Sequence, residues 1–319
     1  MSIEINTMTR PLTGKIDTSK PPVKIEERNG IQIFCYDNMG ENIDESTVKS
    51  FGEEWSSFHD FDLNEIKKIG DTYFDIVTPE MLGHDKIAAD FGCGTGRWAK
   101  YIHEKVGAVA AIDPSEAIYS AAELLNGVDN VQLFRASIDA LPFKDGEFDF
   151  GFSLGVLHHI PDTGKALKAC VEKIKPGGHF LVYLYYSLDN RGLLYRSLFW
   201  ISNLFRMGIS RMPGSAKRFT CNLLAVLFYM PFVLWTRLLK LFGVPERIRS
   251  KFPLYAYEKT SFYIIRNDAL DRFGTPLEQR FSRKQITEMM EAAGLTNIIF
   301  SENTPFWHAV GRRSATVSH

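Results

Sequence analysis

The alternation of apolar and polar positions along this 319-residue chain changes character near residue 86. Before that point, residues 1–24 are polar and rich in Thr, Lys and Pro, without the apolar run of a secretion signal, and read as a loose arm. Residues 30–36 suit a short strand and 37–46 a polar linker. Val48, Phe51, Trp55 and Phe58 then recur at three- and four-residue spacing, the apolar stripe of a helix. From 86 onward, short apolar runs at 86–91, 108–112, 130–134, 148–153 and 179–186 alternate with helix-like segments at 98–106, 115–125 and 163–174. That is the pattern of a parallel sheet with crossover helices. It breaks over 187–281 and resumes with a helix at 282–293, for which Ser282 and Gln285 form a capping box and Gly294 a left-handed stop. Strands at 296–301 and 307–310 follow. The expected fold is α/β: a Rossmann-like, doubly wound, seven-stranded sheet with a helical cap inserted after the fifth strand. It divides into an arm and helical leader (1–60), the core (61–186), the cap (187–281) and the last helix and strands of the core (282–319).

Composition narrows the function classes. A hydrophobic fraction of 45% with 24% charged residues is that of a folded globular chain. The net charge of −1 gives no whole-chain attraction for nucleic acid or anionic membranes, so such a partner would need a local patch. Cys35, Cys93, Cys170 and Cys221 are scattered without metal-ligand or disulfide spacing. No metal is expected, and free thiols suit a reducing, cytoplasmic setting.

Candidate chemistry begins at Asp90, Gly92, Cys93, Gly94 and Gly96, between the strand at 86–91 and a helix. Glycines let the backbone approach a ligand without Cβ atoms in the way, and the helix start offers free N–H donors. At the end of the next strand, Asp113, followed by Pro114, could accept hydrogen bonds from the vicinal hydroxyls of a ribose. The spacing is G-x-G-x-G, with Arg97 where a dinucleotide fingerprint could place its last glycine, which disfavours a pyrophosphate cofactor.

These residues, together with 136–143, 153–162 and 175–178, resemble the class I S-adenosylmethionine-dependent methyltransferases of small-molecule type, over about 86–186 and again over 282–311. The resemblance implies S-adenosyl-L-methionine as cofactor, its methionine part held by Asp90, Gly92, Cys93, Gly94 and Gly96. Asp113 and Pro114 would hold the ribose, Ser137 and Ile138 the adenine, while Leu154 and His159 would close near the sulfonium. Ser137 departs from the family, which often has an acid there. The implied reaction is methylation of a small-molecule acceptor, at oxygen, on a glycan-precursor, polyketide-like or lipid-linked metabolite. The alternatives are a non-catalytic regulatory or membrane-associated protein keeping the same pocket, and an enzyme using the cofactor without methyl transfer.

His158 and His159, at the carboxyl end of the fourth strand, are the candidate general bases; the competing reading makes them packing and backbone-bonding residues. Candidate acceptor contacts are Trp55 in the leader, Tyr185 and Tyr186 after the fifth strand, and Arg266, Asp271, Arg272 and Arg280 in a polar stretch before the last helix. For the charged members a surface ion-pair cluster is the alternative. Residues 192–251 carry ten Lys or Arg against one acid, Glu246, with Phe, Leu and Trp interleaved. This suits an anionic membrane surface or a lipid-like substrate, such as a quinone or isoprenoid; a solvated lid is the other reading. Nucleic acid is not an expected partner. The uncharged run 219–236, with Pro231 inside it, is marginal for a span, and strands on both sides of it should share one sheet, which argues against a single crossing.

Overall fold

The computed structural model describes residues 16–37, 40–55, 63–189, 192–260 and 262–315. Phe58 and most of the N-terminal arm lie outside them, as do the side chains of Trp55 and Asp271. Two compact units divide the chain, Met1–Asp189 with Leu277–His319, and Asn190–Pro276.

The first unit runs β1 (Lys24–Arg28), β2 (Ile31–Cys35), α1 (Glu45–Trp55), α2 (Leu63–Tyr73), β3 (Gly83–Phe91), α3 (Arg97–Ile102), β4 (Val106–Ile112), α4 (Ala117–Leu124), β5 (Val131–Arg135), β6 (Phe148–Leu154), α5 (Thr163–Glu172) and β7 (Ile174–Tyr183). The second contributes α6 (Leu193–Ile209), α7 (Gly214–Leu224), α8 (Met230–Leu241), α9 (Glu246–Arg249) and α10 (Phe262–Gly274); the chain then returns for α11 (Arg283–Ala292), β8 (Leu295–Phe300) and β9 (His308–Arg313).

One sheet has the order β1-β2-β5-β4-β3-β6-β7-β9-β8. Strands β2 through β7 pair in parallel, whereas β9 runs antiparallel between β7 and β8. The α/β doubly wound reading holds, but the count of seven is corrected to nine. The two added strands are β1 and β2, an antiparallel hairpin whose β2 extends the sheet through Ile33 opposite Leu133 and Phe34 opposite Phe134. β1 reads Lys-Ile-Glu-Glu-Arg and four of its five residues are exposed, because an edge strand is protected from unwanted pairing by charge.

The central strands are apolar for the opposite reason. Every residue of β4 is buried, as expected where helices cover both faces of a parallel sheet. Below one face Phe143 meets Phe134 and Phe148 edge-on at centroid distances of 4.9 and 5.0 Å, anchoring the core. The chain passes from β3 outwards to β4 and β5 on one side, then returns from β5 to β6 on the other side of β3, so the strand order reverses between β3 and β6 and the sheet's switch point lies at their carboxyl ends. At α11 the reciprocal Ser282–Gln285 capping box is present.

The peptides leaving and re-entering this unit are clasped together. Phe281 N–H donates to Tyr185 O at 2.8 Å and Ser187 N–H to Phe281 O at 2.9 Å.

Within the second unit, α7, a π-helical turn at Ala225–Tyr229 and α8 form one continuous helix, Gly214–Leu241. The π turn precedes Pro231, whose missing N–H and ring demand a locally widened backbone. Ala225 and Val233 pack with Ile265 and Ala269 of α10 into a small, fully buried core.

Candidate functional site

The site is built where β3 and β4 end. Gly92 and Cys93 N–H both donate to Ile112 O, at 2.8 and 2.9 Å, folding the loop back over the end of β4. Two glycines there serve different needs. A Cβ on Gly92, at φ +83°, would lie 2.4 Å from a methyl of Val156, so this position admits the turn after β6 against the loop. A Cβ on Gly94, at φ +52°, would meet nothing within 4 Å, leaving bare backbone facing open space.

Beneath the loop, Asp90 is completely buried and neither carboxylate oxygen has a hydrogen-bond partner among the described residues. Burial first, then the charge of Asp113, pushes its pKa well above the usual carboxylate value; the Ala99 N–H and the Arg97 charge offset only part of this. An unpaired buried acid is costly and calls for a ligand able to satisfy it.

Asp113 is nearly buried and already employed. Its Oδ2 accepts from Gly94 N–H at 2.9 Å, and its Oδ1 from Ser115 N–H and Oγ–H at 2.8 and 2.5 Å. Burial raises its pKa, against the lowering effect of those three donors and Arg135. A carboxylate has about four acceptor positions, so room remains for a donor from a ligand. This bracing role was not read from the sequence. Pro114 and Ser115 line an open cavity with Val48, Lys49 and Gly52 of α1 and with Arg135.

Ser137 is buried and its Oγ accepts from Asp139 N–H at 3.3 Å, starting the short turn that contains buried Ile138. Two residues on, Asp139 Oδ2 accepts from Asn42 N–H at 3.1 Å. That hydrogen bond is the first cause of Asp139's lowered pKa, with Lys165 adding to it.

The two histidines differ sharply. The His158 ring is wholly buried between His159, centroid 4.0 Å away, and Tyr185, stacked at 3.9 Å and 28°. Neither of its nitrogens has a hydrogen-bond partner among the described residues, and burial, reinforced by His159 and Arg280, drives its pKa well down. In this geometry His158 packs between its two ring neighbours, and burial favours its neutral form. His159 is held differently: Nδ1 lies 2.7 Å from Leu277 O, and Phe51 of α1 meets the ring edge-on at 4.8 Å. Because a carbonyl only accepts, Nδ1 carries the proton that faces Leu277 O. Phe51 of the leader stripe reaches this turn, and Leu154 lies buried just before it.

Tyr185 and Tyr186 face opposite ways, as successive residues of an extended chain must. Tyr185 carries the Arg280 guanidinium 4.9 Å over its ring, while Tyr186 turns to Phe306 and Trp307. Arg280 is also paired with Glu278 at 2.8 Å. Arg266, Asp271 and Arg272 belong to α10 of the second unit, where Arg272 lies 4.2 Å over Phe199 and donates to Ser202 Oγ at 3.0 Å.

Residues 89–182 match the family model described as a methyltransferase domain. This segment is a methyltransferase domain of the class I S-adenosylmethionine-dependent type. S-Adenosylmethionine is the cofactor of this domain, and its ammonium and hydroxyl donors suit the orphaned Asp90 carboxylate, the spare capacity of Asp113 and the bare backbone at Gly94. The chain is 29% identical over 153 residues to a ubiquinone biosynthesis O-methyltransferase of Marinobacter nauticus, covering 44% of this chain and 63% of that one. To a sarcosine/dimethylglycine N-methyltransferase of Halorhodospira halochloris it is 32% identical over 106 residues, covering 32% and 38%. The chain therefore spans less than two thirds of the length of either relative. An O-methyltransferase family protein from Burkholderia thailandensis shares the fold, with a TM-score of 0.51 at 14% identity over 82% of this chain and 60% of that one.

Proposed function

We propose that the protein moves the methyl group of S-adenosylmethionine to an oxygen of a small, largely apolar acceptor. The observation that carries the reading is the buried, unpartnered Asp90 carboxylate under a glycine loop whose Gly94 faces open space. Asp90, with Gly92, Cys93, Gly94 and Gly96, would hold the methionine end, Asp113 and Pro114 the ribose, Ser137 and Ile138 the adenine. Bound S-adenosylmethionine supplies a methyl group on a positively charged sulfur.

The chain's own residues then position and exclude. Leu154 and the Phe51 edge wall off water beside His159. His159, its Nδ1 proton committed to Leu277 O, offers Nε2 to take the proton of an acceptor hydroxyl. The ring cluster of Tyr185, Tyr183 and Tyr73, with centroid spacings of 5.8 and 5.2 Å, offers aromatic faces to an acceptor. Kinship to an enzyme of ubiquinone biosynthesis favours a phenolic, lipid-linked acceptor among the classes considered.

Calorimetry with S-adenosylmethionine and its demethylated product, followed by turnover with catechols, polyprenylated phenols and amines, tests this. Binding lost in Asp113→Ala and turnover confined to hydroxyl acceptors is expected. Amine-only turnover would refute the acceptor atom, and an Asp113→Ala variant that binds normally would refute the pocket.

A further inference from the structure

The helix Gly214–Leu241 of the second unit has two unlike sides. One side carries Cys221, Ala225, Val233 and Thr236, all fully buried, and next to them Arg237 donates to Glu258 O at 2.9 Å and Thr260 O at 2.6 Å. The other side presents Phe219, Leu223, Leu227, Leu234, Leu238 and Leu241, of which Phe219 is 71% and Leu241 82% exposed. Isolated exposed apolar residues are ordinary, but a continuous face of this extent needs a partner.

Charge selects the partner. Arg211 and Arg218 near one end of the helix, and Lys240, Arg247 and Lys251 near the other, are all exposed, while Glu246 is the one acid among residues 192–251. A second copy docking on this face would bring like-charged rims together, whereas anionic lipid headgroups neutralise them. We propose that the second unit docks on an anionic lipid bilayer, with the helix Gly214–Leu241 lying in the plane of the interface and its Phe219–Leu241 face in the acyl boundary.

The helix is long enough to cross: its 28 residues extend about 42 Å at 1.5 Å per residue, against a hydrocarbon layer of about 30 Å. Two facts keep it in the plane. β7 before it and β9 after it pair within one sheet, which requires an even number of crossings, and one helix among the described residues has the length and apolarity to make one. Its Thr236–Arg237 turn is also fastened to backbone carbonyls of its own unit. Interfacial helices usually set a polar face towards water; here that face is replaced by packing on α10. Trp235, half exposed on the same helix, suits the headgroup level. The inference stands apart from the methyl-transfer reading and is tested without it.

The full-length protein is floated with vesicles of phosphatidylcholine alone and of phosphatidylcholine mixed with phosphatidylglycerol, across a range of salt. Flotation with the anionic vesicles, weakening with salt, is expected. The double variant Arg218→Gln, Lys240→Gln should lower the partition coefficient about thirtyfold, and Leu227→Asp should abolish flotation. Circular dichroism and thermal melting of each variant confirm that the fold is kept; should Leu227→Asp misfold, the charge variant and the salt series decide alone. Fluorescence of Trp235, identified by its loss in Trp235→Phe, should be quenched by lipids brominated near the headgroup. Quenching only by lipids brominated at the chain ends would overturn the in-plane arrangement. Absence of flotation by the intact protein would overturn bilayer docking. So would a salt-insensitive dimer in sedimentation velocity that buries this face.

Discussion

Replacing Asp90 by Asn should move stability and cofactor binding in opposite directions. In the ligand-free protein the carboxylate is completely buried, lacks a hydrogen-bond partner among the described residues, and has a pKa raised by burial and by Asp113. A group whose folded-state pKa is raised above its unfolded value of 3.8 stabilises the protein most below that value, and the contribution is lost as pH rises through the folded pKa. At neutral pH this side chain therefore opposes folding. An uncompensated buried charge costs several kcal/mol after relaxation, and an unsatisfied amide about 1–3 kcal/mol. Asp90→Asn should thus gain about 1–3 kcal/mol, raising the melting temperature by several degrees. The gain should shrink as pH falls and vanish near 3.8. Cofactor binding should weaken by about 10- to 150-fold, the equivalent of one charged hydrogen bond of about 1.5–3 kcal/mol. Thermal unfolding between pH 4 and 8, paired with calorimetry, measures both. A variant that is less stable at neutral pH and binds S-adenosylmethionine normally would show that Asp90 is neither strained in the free protein nor turned towards the ligand.

Other outcomes follow from neighbouring geometry. His159→Gln should lower kcat by about 10²–10⁴ with little change in cofactor affinity if Nε2 takes the acceptor's proton; a loss below tenfold in single-turnover assays would leave the ring a positioning role. Gly94→Ala should cost about 1–2 kcal/mol through its positive φ and remove cofactor binding, whereas Gly92→Ala, with Val156 in the way, should fail to fold in expression trials. Asp75 accepts from Ser301 at 2.7 Å and Asn303 at 2.9 Å, and pairs with fully buried His308 at 2.7 Å. Burial works to raise its pKa, but these bonds outweigh it and hold it low. Asp75→Ala should therefore cost about 2–3 kcal/mol at neutral pH in urea unfolding. The difference should be present above 3.8 and fade as pH falls through the lowered pKa.

What the sequence disclosed depended on how local the determining contacts are. β4 is legible because a strand buried on both faces must be apolar throughout, and the loop from Asp90 to Gly96 because its residue types follow from backbone geometry. β1 is not, since an edge strand of Lys, Glu and Arg carries the same signal as a solvated turn. The difference between His158 and His159 was hidden for another reason. Adjacent, chemically identical residues are told apart only by Tyr185 on one ring and Leu277 and Phe51 on the other, contacts from distant parts of the chain. The tie between Asp139 and Asn42 was hidden in the same way, because the two lie 97 residues apart.

The clasp between 185–187 and 281 makes the second unit a graft. Its two ends are tied to each other inside the first unit before any of its helices contributes, so the register of the sheet is indifferent to what lies between them. Lengthening a closed loop is cheap, about 0.6 kcal/mol for each doubling. A lineage could therefore exchange or resize residues 190–276 almost freely while the histidine turn and the glycine loop stay in place. In this architecture new habits of recognition can be acquired by transplant, without mutation of the chemistry they serve.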